Sequence, residues 1–134
     1  MRTHAEFAST EFPALPGEEE LNSGIFGRSL ADYVAACLPA HGFKVKGIAP
    51  EDWGWRMDLE NEAFPLWVGC GNYHELDNGF LVFIDPCMPE ITKRFITVET
   101  APTIERLAST LEALFLMTGK VTGFRWLSDE ESEL

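Results

Sequence analysis

A chain of 134 residues with 46% hydrophobic and 24% charged residues is ordinary globular material. Its length suffices to bury roughly two thirds of the unfolded surface in one core, and its composition excludes wholesale disorder. Ten Lys and Arg stand against 22 Asp and Glu, a formal net charge of -12, with 5 basic against 11 acidic residues on either side of the division at Trp67. So acidic a chain lacks the cations that neutralise phosphates, which argues against nucleic-acid binding and makes a basic protein the favoured partner.

No apolar run approaches the roughly 20 residues of a membrane span, and Met1 to Glu6 lacks a signal peptide's hydrophobic segment, so no membrane is expected and the predicted address is cytoplasmic. Cys37, Cys70 and Cys87 show no Cys-x-x-Cys spacing. An odd set of this kind fits free thiols in a reducing compartment rather than a disulfide framework.

The first eight residues read as a short strand, Ala5 and Phe7 on one side, His4 and Glu6 on the other. Phe12 to Gly17 breaks regular structure with two prolines, and Glu18, Glu19 and Glu20 read as a solvated charge run. From about Gly24 the period turns helical: Phe26, Leu30, Tyr33, Val34, Cys37 and Leu38 share a face, Asn22 or Ser23 caps the start, and Pro39 and Gly42 mark the stop. A strand over 43–48 and a turn at Pro50, Glu51 and Asp52 lead to a strand with Trp53, Trp55, Met57 and Leu59 on its inner face. Gly54, Arg56, Asp58 and Glu60 take its outer face.

A hairpin at 60–62 leads to a strand within 63–73, where Gly69 and Gly71 point to a bulge or a close backbone approach. Asp77-Asn78-Gly79 turns the chain into Phe80 to Ile84, an apolar run predicted to be buried on both faces. Residues 90–99 fit an extended segment or a short helix equally well. Thr100 or Thr103 caps a second helix with Ile104, Leu107, Leu111, Leu114 and Phe115 inward and Gly119 at its end. An alternating strand over 121–127 and a frayed acidic tail over 128–134 complete one domain spanning 1–134. Helices and strands follow in segregated order, which predicts an α+β fold: an antiparallel sheet of about five or six strands with two helices on one face.

Pro50-Glu51-Asp52-Trp53-Gly54-Trp55, with the Pro16-Gly17-Glu18 loop, the Asp85-Pro86 pair and Phe124-Arg125-Trp126, resembles a group of small uncharacterised bacterial proteins. The resemblance spans nearly the whole chain, implies the same helix-on-sheet arrangement and carries no catalytic residue. In general character the chain is also similar to immunity proteins of bacterial toxin systems, a likeness of style rather than motif.

Cys70, His74, Glu75, Asp77 and Asp85 are the residues that could gather around a metal or thiol centre, but their spacing matches no metal motif, and no metal or cofactor is expected. A nucleophilic Cys70 would need His74 beside it and a third group to orient the imidazole. His41 sits where its positive form would favour a helix C-terminus. No phosphate loop, nucleophile elbow or dinucleotide fingerprint is present. The remaining candidate is the outer sheet face, where Arg56, Asp58, Glu60 and Trp67, with Glu51 and Asp52 at the turn, form an acidic surface carrying one aromatic. That surface suits a non-enzymatic module docking a basic partner, in its most specific form an immunity protein neutralising a basic toxin. The alternative is a small-molecule-binding domain or small enzyme with a pocket near Cys70, His74 and Asp85.

Overall fold

The computed structural model describes residues 1–132. Six strands form one antiparallel sheet: β1 (His4–Ala8), β2 (Val45–Glu51), β3 (Gly54–Leu59), β4 (Leu66–Asn72), β5 (Gly79–Asp85) and β8 (Thr122–Trp126). Their spatial order is β2-β3-β4-β5-β1-β8, so the N-terminal strand is inserted between β5 and the last strand. The chain makes a separate two-stranded hairpin from β6 (Glu90–Lys93) and β7 (Ile96–Glu99). Helices α1 (Arg28–Cys37) and α2 (Ala101–Met117) pack on one face of the main sheet, and α3 (Asp129–Ser132) is a single turn in the expected acidic tail. Residues 133–134 of that tail lie outside the described residues. The architecture is α+β, as the segregated order predicts, and no helix among the described residues is long and apolar enough to cross a membrane.

Strand pairing locks the side-chain parity of neighbours. Met57 pairs with Val68 and Val68 with Ile84, while Cys70 pairs with Val82 and Val82 with Ala5, so these residues share one face. Together with Phe7 and Phe80 they meet Leu30, Ala31, Val34 and Leu38 from the α1 side and Ile104, Leu107, Leu111 and Phe115 from α2 in one buried core.

Three expectations change, and one alternative left open is decided. The run Phe80–Ile84 is not buried on both faces: Phe80, Val82 and Ile84 enter the core, whereas Leu81 and Phe83 are half-buried on the face without helices. An antiparallel sheet with one covered face forces that alternation on an all-apolar strand. Trp53 does not share the core face of Trp55. Glu51 pairs with Gly54, leaving Asp52 and Trp53 as a two-residue turn whose side chains escape strand alternation, and Trp53 crosses to the outer face.

Helix α1 begins at Arg28, later than expected, and neither Asn22 nor Ser23 caps it. Glu18 does: its Oε2 accepts the N–H groups of Gly27 at 2.8 Å and Arg28 at 2.7 Å, and its Oε1 accepts that of Leu15 at 2.9 Å. Glu18 is therefore 8% exposed rather than solvated. An anion at a helix N-terminus satisfies the donors that the first turn leaves open. Finally, residues 90–99 resolve into the β6–β7 hairpin, with Arg94 (φ +51°) and Phe95 (φ +66°) at its tip.

Candidate interaction surface

The sheet face opposite α1 and α2 is organised in rows set by strand register, and α3 reaches only its β8 edge, where Glu131 accepts from Arg125 at 2.7 Å. Asp58 on β3, Trp67 on β4 and Asp85 on β5 form one row. Arg56, Gly69, Phe83 and His4 form the next across β3, β4, β5 and β1. Gly71, Leu81, Glu6 and Arg125 form a third.

Aromatic rings fill the middle of this face. Trp53 stacks on Trp67 with centroids 5.8 Å apart and lies 4.9 Å from the Phe83 ring. Trp67 meets Phe83 edge-on at 5.5 Å, and His4 stacks on Phe83 at 5.2 Å. Gly69 makes room for this packing, since a Cβ there would stand 2.4 Å from the Phe83 ring. An aromatic lying across a strand glycine covers backbone that would otherwise be bare. Gly54 has the complementary role: at φ +152°, with a Cβ position 2.4 Å from the Cys70 carbonyl oxygen, it lets the start of β3 lie close against the β4 backbone.

The polar groups are placed around the rings. Arg56 Cζ lies 4.6 Å from the Trp67 ring centroid, and Arg56 Nε donates to Asp58 Oδ1 at 3.0 Å. Glu6, 7% exposed, accepts from Arg125 at 2.8 Å. His4 shares a 2.9 Å hydrogen bond with the Thr3 hydroxyl. Burial lowers the pKa of its imidazole against the opposing pull of the Asp85 charge.

Of the residues predicted to bind a partner, Arg56, Asp58 and Trp67 are thus in mutual contact or in register. The others are not gathered with them. Glu51 and Asp52 stand at the turn end of the β2–β3 hairpin, while Glu60 lies beyond the far end of β3, a strand of about 20 Å, where it pairs with Lys44 at 3.6 Å. These three carboxylates border the face rather than form its centre. Trp53, Phe83 and His4 belong to the surface and were not expected there, although Gly69 in β4 was a signal that an aromatic side chain lies across this strand; Gly71 instead marks the expected close backbone approach, with its Cβ position 2.5 Å from the Trp53 carbonyl oxygen.

The alternative centre does not assemble. Cys70 is wholly buried on the core face, and burial pushes its thiol up to about 12, far from a thiolate nucleophile. Asp85 faces the opposite side and pairs with Trp67 near the start of β4, whereas His74 follows the other end of that strand. A cleft of about 440 Å³ does open beside His74, Asn72, Phe26 and Asp77, but neither Cys70 nor Asp85 lines it. The Asn72 amide there is committed to the backbone, accepting from Phe26 at 3.0 Å and donating to Gly24 at 2.8 Å. Among the described residues no three His, Cys, Asp or Glu side chains are grouped so as to hold a metal ion.

A second exposed feature is the β6–β7 tip, where Phe95 is fully exposed (103%) and Ile96 is 66% exposed. Flanking Lys93 and Arg94, together with Lys46, make no ion pair or cation–π contact among the described residues.

Fold and surface together define a small α+β domain with one helix-covered sheet face and one bare aromatic face. No protein-family model, curated protein or solved structure matches this chain.

Proposed function

We propose that this protein is a non-enzymatic binding module that docks a basic protein on its bare sheet face. Its most specific form is an immunity protein that holds a basic bacterial toxin in the cytoplasm. The observation that carries the reading is the half-exposed cluster of Trp53, Trp67 and Phe83 on an uncovered sheet face, edged by Asp58 and Asp85. Tryptophan and arginine are enriched where binding energy concentrates, at the centre of an interface within a polar rim. Here Trp67 and Arg56 occupy the centre, with Glu51, Asp52 and Glu60 at the border. The net charge of -12 draws a cationic protein in, and the rigid aromatic centre holds it.

The test is co-purification from the source cell with wild type and Trp67→Ala side by side, followed by association kinetics on the recovered protein at low and high salt. A basic protein retained by wild type, lost with Trp67→Ala and slower to associate as salt rises supports the reading, since exposed charges are screened beyond about 8 Å at physiological ionic strength. A partner retained equally by Trp67→Ala, or one that associates at a rate indifferent to salt, would sink it.

A further inference from the structure

We infer that the Asp85 corner of the bare face is an arginine slot, a carboxylate beside an aromatic wall that receives a guanidinium from the basic partner. The inference rests on the docking reading above and names the group that is recognised.

Trp67 stands between two carboxylates in a single row, Asp58 on one neighbouring strand and Asp85 on the other. Adjacent strands lie about 4.8 Å apart, so both acids are within reach of a group lying against the indole. On the β3 side that arrangement is already filled from within. The guanidinium of Arg56 lies 4.6 Å from the Trp67 centroid and bonds Asp58 at 3.0 Å, so the chain itself displays the chemistry that an indole and a neighbouring carboxylate select.

On the β5 side the acid has the same register to the same indole and no cation. Asp85 is half-buried, and its carboxylate makes no side-chain hydrogen bond or ion pair among the described residues. Its aromatic neighbours are Trp67, on which Trp53 also stacks, and, one row away, the stacked pair of Phe83 and His4. A partly desolvated carboxylate gains most from a partner that restores its lost hydrogen bonds. A guanidinium does this with two parallel N–H donors while its flat face lies on an aromatic ring, whereas an ammonium offers a compact, strongly hydrated charge with no face to stack. The slot therefore favours arginine over lysine at equal net charge.

The test uses the full chain, labelled with ¹⁵N and titrated with three glycine-spaced peptides of equal length carrying arginine, lysine or citrulline. The arginine peptide is expected to shift the Trp67 indole N–H and the backbone amides of Phe83 and Asp85, and to bind at least several-fold more tightly than the lysine peptide; citrulline, with the shape but not the charge, should leave these signals in place. Asp85→Asn should reduce arginine binding to the level of lysine, Asp85→Glu should recover part of it, and Glu75→Gln, an exposed acid outside this face, should change nothing. The comparison among peptides needs no variant, so it stands even if a substitution disturbs the fold. Equal binding of arginine and lysine, no response to any peptide, or an Asp85→Asn effect no larger than that of Glu75→Gln overturns the slot. A response confined to residues outside this face overturns the docking reading with it.

Discussion

Trp55 donates its indole N–H to Glu18 at 2.6 Å, joining the loop before α1 to a strand 37 residues further along the chain. The same carboxylate oxygen caps α1, and the indole carries the Arg28 guanidinium 4.9 Å from its centroid. Two residues that a linear reading assigns separately, one to a solvated charge run and the other to the core, are halves of one clamp between helix and sheet.

Removing this clamp should be costly. Glu18→Ala leaves four donors without their acceptor and is expected to destabilise the domain by about 1–3 kcal/mol; Trp55→Phe, which keeps the ring but loses the N–H, should cost about 1 kcal/mol. Urea titrations of both single variants and the double variant would show non-additivity. Strict additivity would mean that the two groups do not act together.

The clamp is also a source of acid sensitivity. Burial opposes ionisation of Glu18, but hydrogen bonds from Leu15, Arg28, Gly27 and Trp55 outweigh it and hold the folded pKa below the ordinary 4.5. A carboxylate whose pKa is lowered by folding contributes stability in full above 4.5, and that contribution fades as pH falls through the lower, folded value. The stability gap between wild type and Glu18→Gln should therefore be wide at neutral pH and narrow in acid. A gap independent of pH would refute the assignment.

The two faces of the sheet should respond differently to truncation. Met57→Ala empties a fully buried site and should cost about 2–5 kcal/mol, whereas Trp67→Ala, on the half-exposed face, should cost less and act mainly on binding. Denaturation and partner binding measured on the same preparations separate these effects; a Trp67→Ala variant as unstable as Met57→Ala would return Trp67 to a purely structural role.

Gly69 and Phe83 should be coupled. A methyl group at residue 69 meets the ring of Phe83, so Gly69→Ala should destabilise by about 1–3 kcal/mol through overpacking. In a Phe83→Ala background that penalty should largely vanish, and a penalty of equal size in both backgrounds would show that the ring is not the obstacle.

Stability is available at the β6–β7 tip. Two consecutive residues with positive φ suit Asn-Gly, and a bulky Phe at φ +66° is strained by about 1 kcal/mol or more. Arg94→Asn with Phe95→Gly should raise the melting temperature, and an unchanged or lower value would mean that the native tip is not strained.

Thiol labelling provides a check on burial. Cys87 is exposed and should react with a thiol reagent in the folded protein, while Cys70, buried with its thiol pushed up to about 12, should react only on unfolding. Labelling of Cys70 at native rates would place it outside the core.

Local chemistry settled much of this molecule from the sequence alone. The three- and four-residue spacing of Leu30, Val34 and Leu38, and of Ile104, Leu107, Leu111 and Phe115, marked the inner faces of both helices, and the alternation of Met57 and Leu59 with Arg56 and Asp58 marked the two sides of β3. Such periods follow from backbone geometry and need no knowledge of neighbours. Tertiary structure decided what periodicity does not encode. Glu18 left solvent because it met the start of α1 and the Trp55 indole; Trp53 changed faces because a two-residue turn frees its side chain from the alternation; and Phe83 became a surface aromatic because helices cover only one side of β5. The bare face itself exists through strand register, which brings His4, Asp58, Trp67, Phe83 and Asp85 together from four strands. Register is a relation between distant segments, fixed when the whole apolar face finds its helices.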